Sequence, residues 1–344
     1  MKKMTKLLGC LLAVMVLVSL VAAACGPKEG QPGKDWPTAI SIVTPPVGTG
    51  AYGVHVGLAS LITKYVGVSA TVEGTAGNLA ALTVLKNKEA EFANSSSDGS
   101  WEGYRGIGAF EKLGKVPLRA VAGSHAVYVH VIARADSGIN SIDDFKGKRV
   151  MYLLPGASLL QMSAGAIVDS HNLADQFNVL KTSGLKDSVD ALKEGRTDAI
   201  IYPSGAKGAL FIELATTTQV KWVPIGDAAI KKISDKYPFL TKQVLPAGTY
   251  PGQTQDVPWI GVSTMTVTRD DIPESLVYAV TKTLWEHLDE FKSMHPAAQE
   301  WAIGDVLEER TIPWHPGAIK YYKEKGLWNS ELDKLQKNFL AEGK

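Results

Sequence analysis

Apolar residues along this chain recur at two spacings, one typical of strands and one typical of helices. Runs such as 39–43 and 70–73 predict short strands, and each is followed by a loop and by apolar residues at helical spacing. The same order recurs between 149 and 237, 259–268 predicts a long strand, and the chain after Pro273 is predicted to be helical. Such alternation predicts an α/β fold with mostly parallel sheets.

The middle of the chain contains two further β runs with a polar interruption between them. Residues 118–123 and 128–134 each have the apolar character of a strand, and Ser124 and His125 lie between the two runs. The pattern therefore predicts two separate strands here.

Three of the predicted strands end in loops of small residues that lead directly into helices. These loops lie at 48–53, 74–78 and 155–158. Small residues let backbone N–H groups approach a ligand, and a helix N-terminus favours a carboxylate or phosphate. Thr75 is expected to cap the helix that starts near Leu79. The loops thus indicate anion sites, although an ordinary capped helix requires the same residues.

The first 24 residues have the pattern of a secretory signal peptide. Three lysines precede an apolar run at 7–20, and small residues then lead to Cys25. A cysteine at that position is typical of a bacterial lipoprotein whose first mature residue carries lipid, and residues 25–36 then form a lipidated tether. Cleavage by an ordinary signal peptidase and a retained membrane anchor stay open as alternatives.

Removal of this signal changes the composition in two ways. Three lysines and no acidic residues leave with it, so the formal net charge changes from +1 to −2, and neither nucleic acid nor an anionic membrane surface is an expected partner. Cys10 leaves as well and Cys25 would carry lipid, so the mature chain has no thiol for a disulfide or a thiolate metal site. The remaining chain is longer than the chains that usually fold around a single hydrophobic core, which favours two domains.

One motif points to a different function. Gly48, Gly50 and Gly53 fit the G-x-G-x-x-G fingerprint of dinucleotide-binding enzymes, and Glu73 lies where such enzymes place a ribose-binding acid. The prolines at 45–46 separate the strand from the glycines, where the fingerprint requires a tight turn, and an exported protein meets little nicotinamide cofactor. A dinucleotide-binding oxidoreductase is therefore the alternative hypothesis.

Other enzyme classes have little support. The chain contains no H-E-x-x-H, G-x-S-x-G or P-loop lysine motif. Its seven histidines are scattered, and the five-residue separation of His125 and His130 would place them on opposite faces of extended chain, which argues against a shared metal. A Ser-His-Asp set that includes Ser158 and assembles only in space stays open. We expect a protein that is not an enzyme, with no cofactor and no bound metal.

Several short segments, in their order and spacing, resemble the TAXI family of solute receptors, which serve tripartite ATP-independent (TRAP) transporters. The matching positions are Gly50-Ala51-Tyr52, Gly57, Gly74-Thr75-Ala76-Gly77-Asn78-Leu79, Asp98, Gly106, Arg134-Ala135-Asp136-Ser137-Gly138-Ile139, Leu192, Gly195, Asp198-Ala199, Gly248-Thr249-Tyr250-Pro251, His315-Pro316-Gly317-Ala318, Tyr322 and Glu324. They extend over about 40–328, which is nearly the whole mature chain.

The resemblance implies a two-lobed periplasmic binding protein of type II, with mostly parallel sheets and a hinge of crossing strands. Lobe one would comprise residues 37–130 and 262–344, and lobe two residues 131–261. The implied ligands are small organic acids of the dicarboxylate or 2-oxoacid type. The implied partner is a membrane permease, and the implied location is extracytoplasmic, with a lipid anchor at Cys25.

The ligand-binding residues carried over from the family lie mainly in the small-residue loops. They are Gly50, Tyr52, Gly74, Thr75 and Asn78 in lobe one, and Gly156, Ala157 and Ser158 in lobe two. Tyr202 is added because it adjoins a loop that contains proline and glycine. Arg105 and Arg119 are candidates for a carboxylate clamp, although surface ion pairs are the commoner use of such residues.

One departure from the family suggests what the ligand lacks. Relatives commonly carry Tyr and an acid near Ser124 and His125, a pair that would suit a ligand ammonium. We therefore expect an organic acid without an amino group, hydrogen-bonded by His125 with a charge that changes near neutral pH. A purely structural histidine fits the pattern equally well. A structural or adhesive surface lipoprotein is the third hypothesis for the whole chain.

Overall fold

The computed structural model describes residue 33 and residues 35–155, 157–308 and 311–343. The predicted signal peptide, the lipidation site Cys25 and the loop residue Gly156 lie outside the described residues. Strands and helices alternate along the described chain, so the predicted α/β fold is confirmed.

The first part of the chain builds one end of a ten-stranded sheet. Its elements are β1 (Ala39–Thr44), α1 (Gly50–Leu61), β2 (Ser69–Gly74), α2 (Asn78–Lys86), β3 (Phe92–Ser96), α3 (Ser97–Arg105) and β4 (Leu118–Arg134). Strand β1 pairs in parallel with both β2 and β3. The loops that follow these strands therefore meet at one edge of the sheet, where α/β proteins commonly bind ligands.

The middle of the chain builds the other end of the sheet. Its elements are β5 (Arg149–Leu153), α4 (Ser158–Ser170), β6 (Asn178–Lys181), α5 (Leu185–Lys193), β7 (Ala199–Gly205), α6 (Ala209–Thr217), β8 (Val220–Trp222), α7 (Asp227–Lys236) and β9 (Thr241–Leu245). Strand β5 pairs in parallel with β6 and β7. This end thus repeats the parallel strand and helix construction of the first.

The last part of the chain returns to the first end. Its elements are β10 (Val257–Arg269), α8 (Glu274–Glu286), α9 (Leu288–Met294), α10 (Pro316–Glu324) and α11 (Ser330–Glu342). The ring of His315 begins α10, because its Nδ1 accepts the Gly317 amide N–H at 3.1 Å. His315 thus fixes the loop that precedes α10.

Two long strands, β4 and β10, connect the two ends of the sheet. They pair with each other in antiparallel fashion, with register shifts between Ser263 and Met265 and again between Thr266 and Val267. Residues 264–268 of β10 pair with β3, and residues 257–261 pair with β9. Irregular pairing weakens and bends a sheet locally, so the two ends meet at a crossing of two strands.

Two hydrophobic cores lie on either side of this crossing. The first core is formed by residues from 40–122 and 265–339, and the second core by residues from 128–262. Each long strand supplies buried residues to both cores. A movement of one core relative to the other would therefore bend β4 and β10 where they cross.

The structure differs from the sequence prediction at two strands. The runs predicted as two strands at 118–123 and 128–134 form the single strand β4, because β4 pairs with β10 on both sides of Ser124 and His125, where the first register shift lies. Strand β9 was missing from the prediction. Its residues alternate between exposed and half-buried positions, and its pairing with β10 defines it as a strand.

Candidate functional site

A cavity of about 730 Å³ lies beside the crossing of β4 and β10. Its walls come from both halves of the fold, and its lining residues are 50, 125, 128, 204–208, 246–249, 295–297, 299 and 300. Among these lining residues, all within the described ranges, Lys207 is the one lysine or arginine and Glu300 the one carboxylate. The cavity therefore offers one positive and one negative group to a ligand.

Lys207 lies in the loop between β7 and α6, on the side of the second core. Its side chain is exposed, and it makes no ion pair with any other residue in the part of the chain that the structure describes. Its backbone has φ of +56°, a conformation uncommon for a residue other than glycine. Strained backbone of this kind is concentrated at ligand sites.

Tyr250 lies next to this loop in the second core. Its hydroxyl lies 2.9 Å from Nε2 of the buried His130. Burial raises the pKa of Tyr250, and the nearby amides of Lys207 and Gly208 act in the opposite direction. The Lys207 ammonium has no ion-pair partner among the described residues, so it is left for a ligand.

Glu300 ends a short 3₁₀ turn that follows α9, on the side of the first core. The turn begins at Pro296 and is capped by His295, whose Nδ1 accepts the Ala297 N–H at 3.1 Å. Glu300 is an exposed residue, but partial burial of its carboxylate raises its pKa, whereas the nearby Ala126 N–H and the charge of Lys207 act in the opposite direction. The residue thus connects the turn to the crossing strand β4.

His125 and Tyr128, both on β4, are neutral hydrogen-bonding groups at the base of the cavity. Burial, with a smaller contribution from His295, lowers the pKa of His125 to about 4. Burial raises the pKa of Tyr128 to about 12, with a contribution from Glu300. The expectation that the charge of His125 changes near neutral pH is therefore wrong, because burial disfavours the imidazolium.

Among the predicted ligand-binding residues that the structure describes in full, Gly50 and His125 line this cavity. Gly50 is the first residue of α1, whose N-cap Thr49 accepts the Tyr52 amide N–H at 3.2 Å. The Tyr52 side chain lies instead on a separate surface groove between α1 and β2. A ligand role for the Tyr52 ring stays a prediction, and the cavity does not include it.

The small-residue loop at 74–78 makes its contacts within the first half of the fold. The Thr75 hydroxyl donates to the Thr44 carbonyl at 2.9 Å, and the N-cap of α2 is Gly77, so the prediction that Thr75 caps this helix is wrong. The Asn78 side chain donates to Ser96 Oγ at 2.6 Å. A side chain at Gly74 would have its Cβ 3.0 Å from the backbone nitrogen of Val47, so this glycine permits close packing of two loops.

Two predicted residues of the second half, Ala157 and Tyr202, are not among the residues that line the cavity. Ala157 is the N-cap of α4, and Ser158 is its first residue, with a side chain outside the described set. The Tyr202 hydroxyl lies near the Leu185 amide at the start of α5, and burial raises the pKa of Tyr202. These helix starts stay candidates for ligand binding.

The two arginines proposed as a carboxylate clamp make ion pairs with protein groups instead. Arg105 stacks on the Trp101 ring at 3.3 Å and pairs with Glu342. Arg119 pairs with Asp270 at 3.1 Å. These are the surface ion pairs that the sequence analysis weighed as the commoner alternative.

The glycines of the dinucleotide fingerprint have local structural reasons. Gly48 has φ of +88°, a backbone conformation that favours glycine. A Cβ at Gly53 would lie 2.4 Å from the His295 ring, so the glycine lets α1 approach the capped turn. The pattern G-x-G-x-x-G is thus explained without a bound dinucleotide.

Sequence reasoning missed Lys207 and Glu300 as site residues. Lys207 lies in the loop Gly205-Ala206-Lys207-Gly208, a further small-residue loop between a buried strand and a helix, and that signal would have found it. Glu300 has no comparable signal, because it reaches the cavity only through the tertiary packing of the turn after α9.

Two searches of the described residues give negative findings. Across the described ranges, no helix combines the length and the apolar character needed to cross a bilayer. Nor do three or more His, Cys, Asp or Glu side chains in that part of the chain gather in a way that could hold a metal ion.

Comparisons with known proteins identify the family. A model of the NMT1-like family matches residues 42–326. Among solved structures, a TctC solute binding protein from Polaromonas is 15% identical, covers 84% of this chain and 97% of its own, and superposes with a TM-score of 0.57. The aliphatic sulphonate binding protein SsuA from Escherichia coli is 11% identical over 88% of this chain and 85% of its own, with a TM-score of 0.46. The identities support likeness of fold alone, and the chain belongs to the NMT1-like family, with the two-lobed fold of periplasmic binding proteins.

Proposed function

We propose that this chain is the extracytoplasmic substrate-binding receptor of a TRAP transporter. It captures a small organic acid of the dicarboxylate or 2-oxoacid type and delivers it to the membrane permease. The observation that carries the proposal is the cavity of about 730 Å³, lined from both halves of the fold where β4 and β10 cross. A ligand held there contacts both halves and favours their closure.

The proposed lobes are residues 37–130 with 262–344, and residues 131–261. The two hydrophobic cores and the crossing strands support this division, because each lobe would keep its own core during a hinge movement. The proposed lipid anchor at Cys25 holds the receptor outside the cytoplasmic membrane, on a tether formed by 25–36. The TctC neighbour is named as a solute binding protein, which supports the receptor function.

Lys207 and the start of α1 would bind the acid. Lys207 supplies a free positive charge, and Gly50 brings the first amide of α1 to the cavity. The first amides of a helix have no partner within the helix, and its dipole favours an anion there. Micromolar affinity requires about 8 kcal/mol, and hydrogen bonds to a charged group contribute roughly 1.5–3 kcal/mol each. A few such contacts are sufficient after the costs of ordering.

Replacing Lys207 by Met tests this assignment. The substitution keeps a long side chain and removes the charge, so we expect organic acids to bind about 10- to 100-fold more weakly. Calorimetric titration of wild type and variant with a panel of mono- and dicarboxylates measures the change. Ligand at 100 times its dissociation constant adds roughly 2.7 kcal/mol to the free energy of unfolding, so a thermal-shift screen can select the acids.

Lys146 provides the matched control for this experiment. It is an exposed lysine of the same half of the fold and lies outside the cavity. Lys146→Met is expected to leave affinity unchanged. Equal binding by Lys207→Met and wild type would contradict the assigned anion site, and the absence of binding by any acid in the panel would contradict the proposed function.

A further inference from the structure

We infer that Glu300 selects, among organic acids, those that carry a hydrogen-bond donor next to a carboxylate, such as a hydroxylated dicarboxylate. This inference rests on the proposed function and narrows its substrate class. It is carried by the position of Glu300 in the cavity and by the chemistry of its neighbours.

Glu300 and Lys207 approach the cavity from different halves of the fold. Glu300 belongs to the turn after α9, on the side of the first core, and Lys207 to the loop after β7, on the side of the second core. They are close enough for the charge of Lys207 to influence the Glu300 carboxyl group. A small acid between them would meet a positive group at one end and a negative group at the other.

The Glu300 carboxylate can accept further hydrogen bonds from a ligand. An ionised carboxylate has two oxygens with about four acceptor positions, and the Ala126 amide N–H is the nearby protein donor that lowers its pKa. A ligand hydroxyl beside Glu300 donates a hydrogen bond. A bare carboxylate or a keto oxygen at the same place has no proton to donate, so the contact becomes a repulsion between acceptors.

The other side chains at the base of the cavity do not impose this requirement. Tyr128 keeps its hydroxyl proton and can donate or accept, and the neutral His125 ring has one donor and one acceptor nitrogen. Both adapt to either kind of ligand group. Glu300 is the one carboxylate among the lining residues, and because its side chain is exposed to water, which favours the charged form, it accepts hydrogen bonds and discriminates by donor content.

The experiment uses acids that differ by one hydroxyl group. Succinate is compared with malate, and glutarate with 2-hydroxyglutarate, by calorimetric titration of the wild-type protein. We expect the hydroxylated acid of at least one pair to bind about 10-fold more tightly. Aspartate is added as a third four-carbon acid, whose donor is an ammonium group.

Glu300→Gln separates the proposed role from a general loss of structure. Glutamine keeps the shape of the side chain, loses its charge and presents an amide that can donate to a ligand carboxylate. The variant is therefore expected to bind succinate more tightly than wild type and to reduce the preference for malate to less than about 3-fold. A gain in affinity for one acid excludes misfolding as the cause.

A charge-matched control and three outcomes complete the test. Asp289→Asn removes an exposed negative charge of the same half outside the cavity, and should keep the wild-type preference. Binding of acids with no preference for a hydroxyl, or an unchanged preference in Glu300→Gln, would overturn the inference and leave the proposed function intact. If no acid binds wild type, the proposed function fails together with the inference. Aspartate bound more tightly than malate would support donor selection by Glu300 and overturn the expectation of a ligand without an amino group.

Discussion

Lowering the pH from 7 to 5 is expected to reduce the free energy of unfolding by several kcal/mol. Four histidines are buried, His55, His125, His130 and His315. Burial lowers the pKa from 6.5 to about 4 for His55, His125 and His315, and to about 3 for His130. Below pH 6.5 the unfolded chain takes up protons that the folded chain does not bind, so stability falls with pH.

The size of this effect follows from the difference in bound protons. Between pH 6.5 and 5 each histidine lowers the free energy of unfolding by up to about 2 kcal/mol. This decrease continues until the pH reaches the pKa of that histidine in the folded protein. Buried acids such as Asp98 and Glu102 have raised pKa values and act in the opposite direction. The measured slope of unfolding free energy against pH therefore contains contributions from both the histidines and the acids. The difference in slope between a histidine variant and wild type gives the contribution of that one histidine.

Urea denaturation of His315→Asn and wild type at several pH values measures that difference. Asparagine is a good N-cap and can accept the Gly317 amide N–H in place of the ring. The slope of unfolding free energy with pH between 5 and 6 is expected to fall by nearly one proton, or about 1.4 kcal/mol per pH unit. An unchanged slope would mean that His315 is protonated in the folded protein.

Replacing Gly261 by Ala is expected to destabilise the protein by about 1–3 kcal/mol. A Cβ at this position of β10 would lie 2.4 Å from the Val127 carbonyl oxygen and 2.7 Å from Gln243 Cγ. The first of these contacts is with the backbone of β4, so relief requires the crossing strands to move apart. The same substitution is therefore expected to alter ligand affinity through the hinge.

Gly165→Ala provides the contrast in the same denaturation experiment. Gly165 lies within α4, and a Cβ there would meet nothing within 4 Å. Alanine is favoured over glycine inside a helix, so this variant is expected to be more stable by about 0.5–1 kcal/mol. Equal stability of Gly261→Ala and wild type would show that β4 and β10 can move apart at the crossing with little cost in free energy.

The sequence allowed the fold to be predicted where local pattern and tertiary structure agree. The apolar run of β1, the small loop and the helix after Gly50 all have local causes, so their order was predictable. Strand β4 was divided in the prediction because Ser124 and His125 are polar. His125 lines the cavity, so its polarity belongs to the site.

The site was less predictable than the fold for a physical reason. Thr75 and Asn78 have the residue types of an anion loop, yet their side chains satisfy neighbouring protein groups. Whether a hydroxyl meets the protein or a ligand depends on packing that a single loop does not encode. Glu300 likewise reaches Ala126 across 174 positions of sequence, and no local pattern predicts that contact.

The most direct test of the account is a crystal structure of the protein with its tightest-binding organic acid. We expect the acid in the cavity between the two cores, with a carboxylate within hydrogen-bond distance of Lys207 Nζ and another ligand group next to Glu300. The halves should also be closer together than in the ligand-free protein. An acid bound elsewhere, for example in the groove beside Tyr52, with the cavity empty would contradict the account.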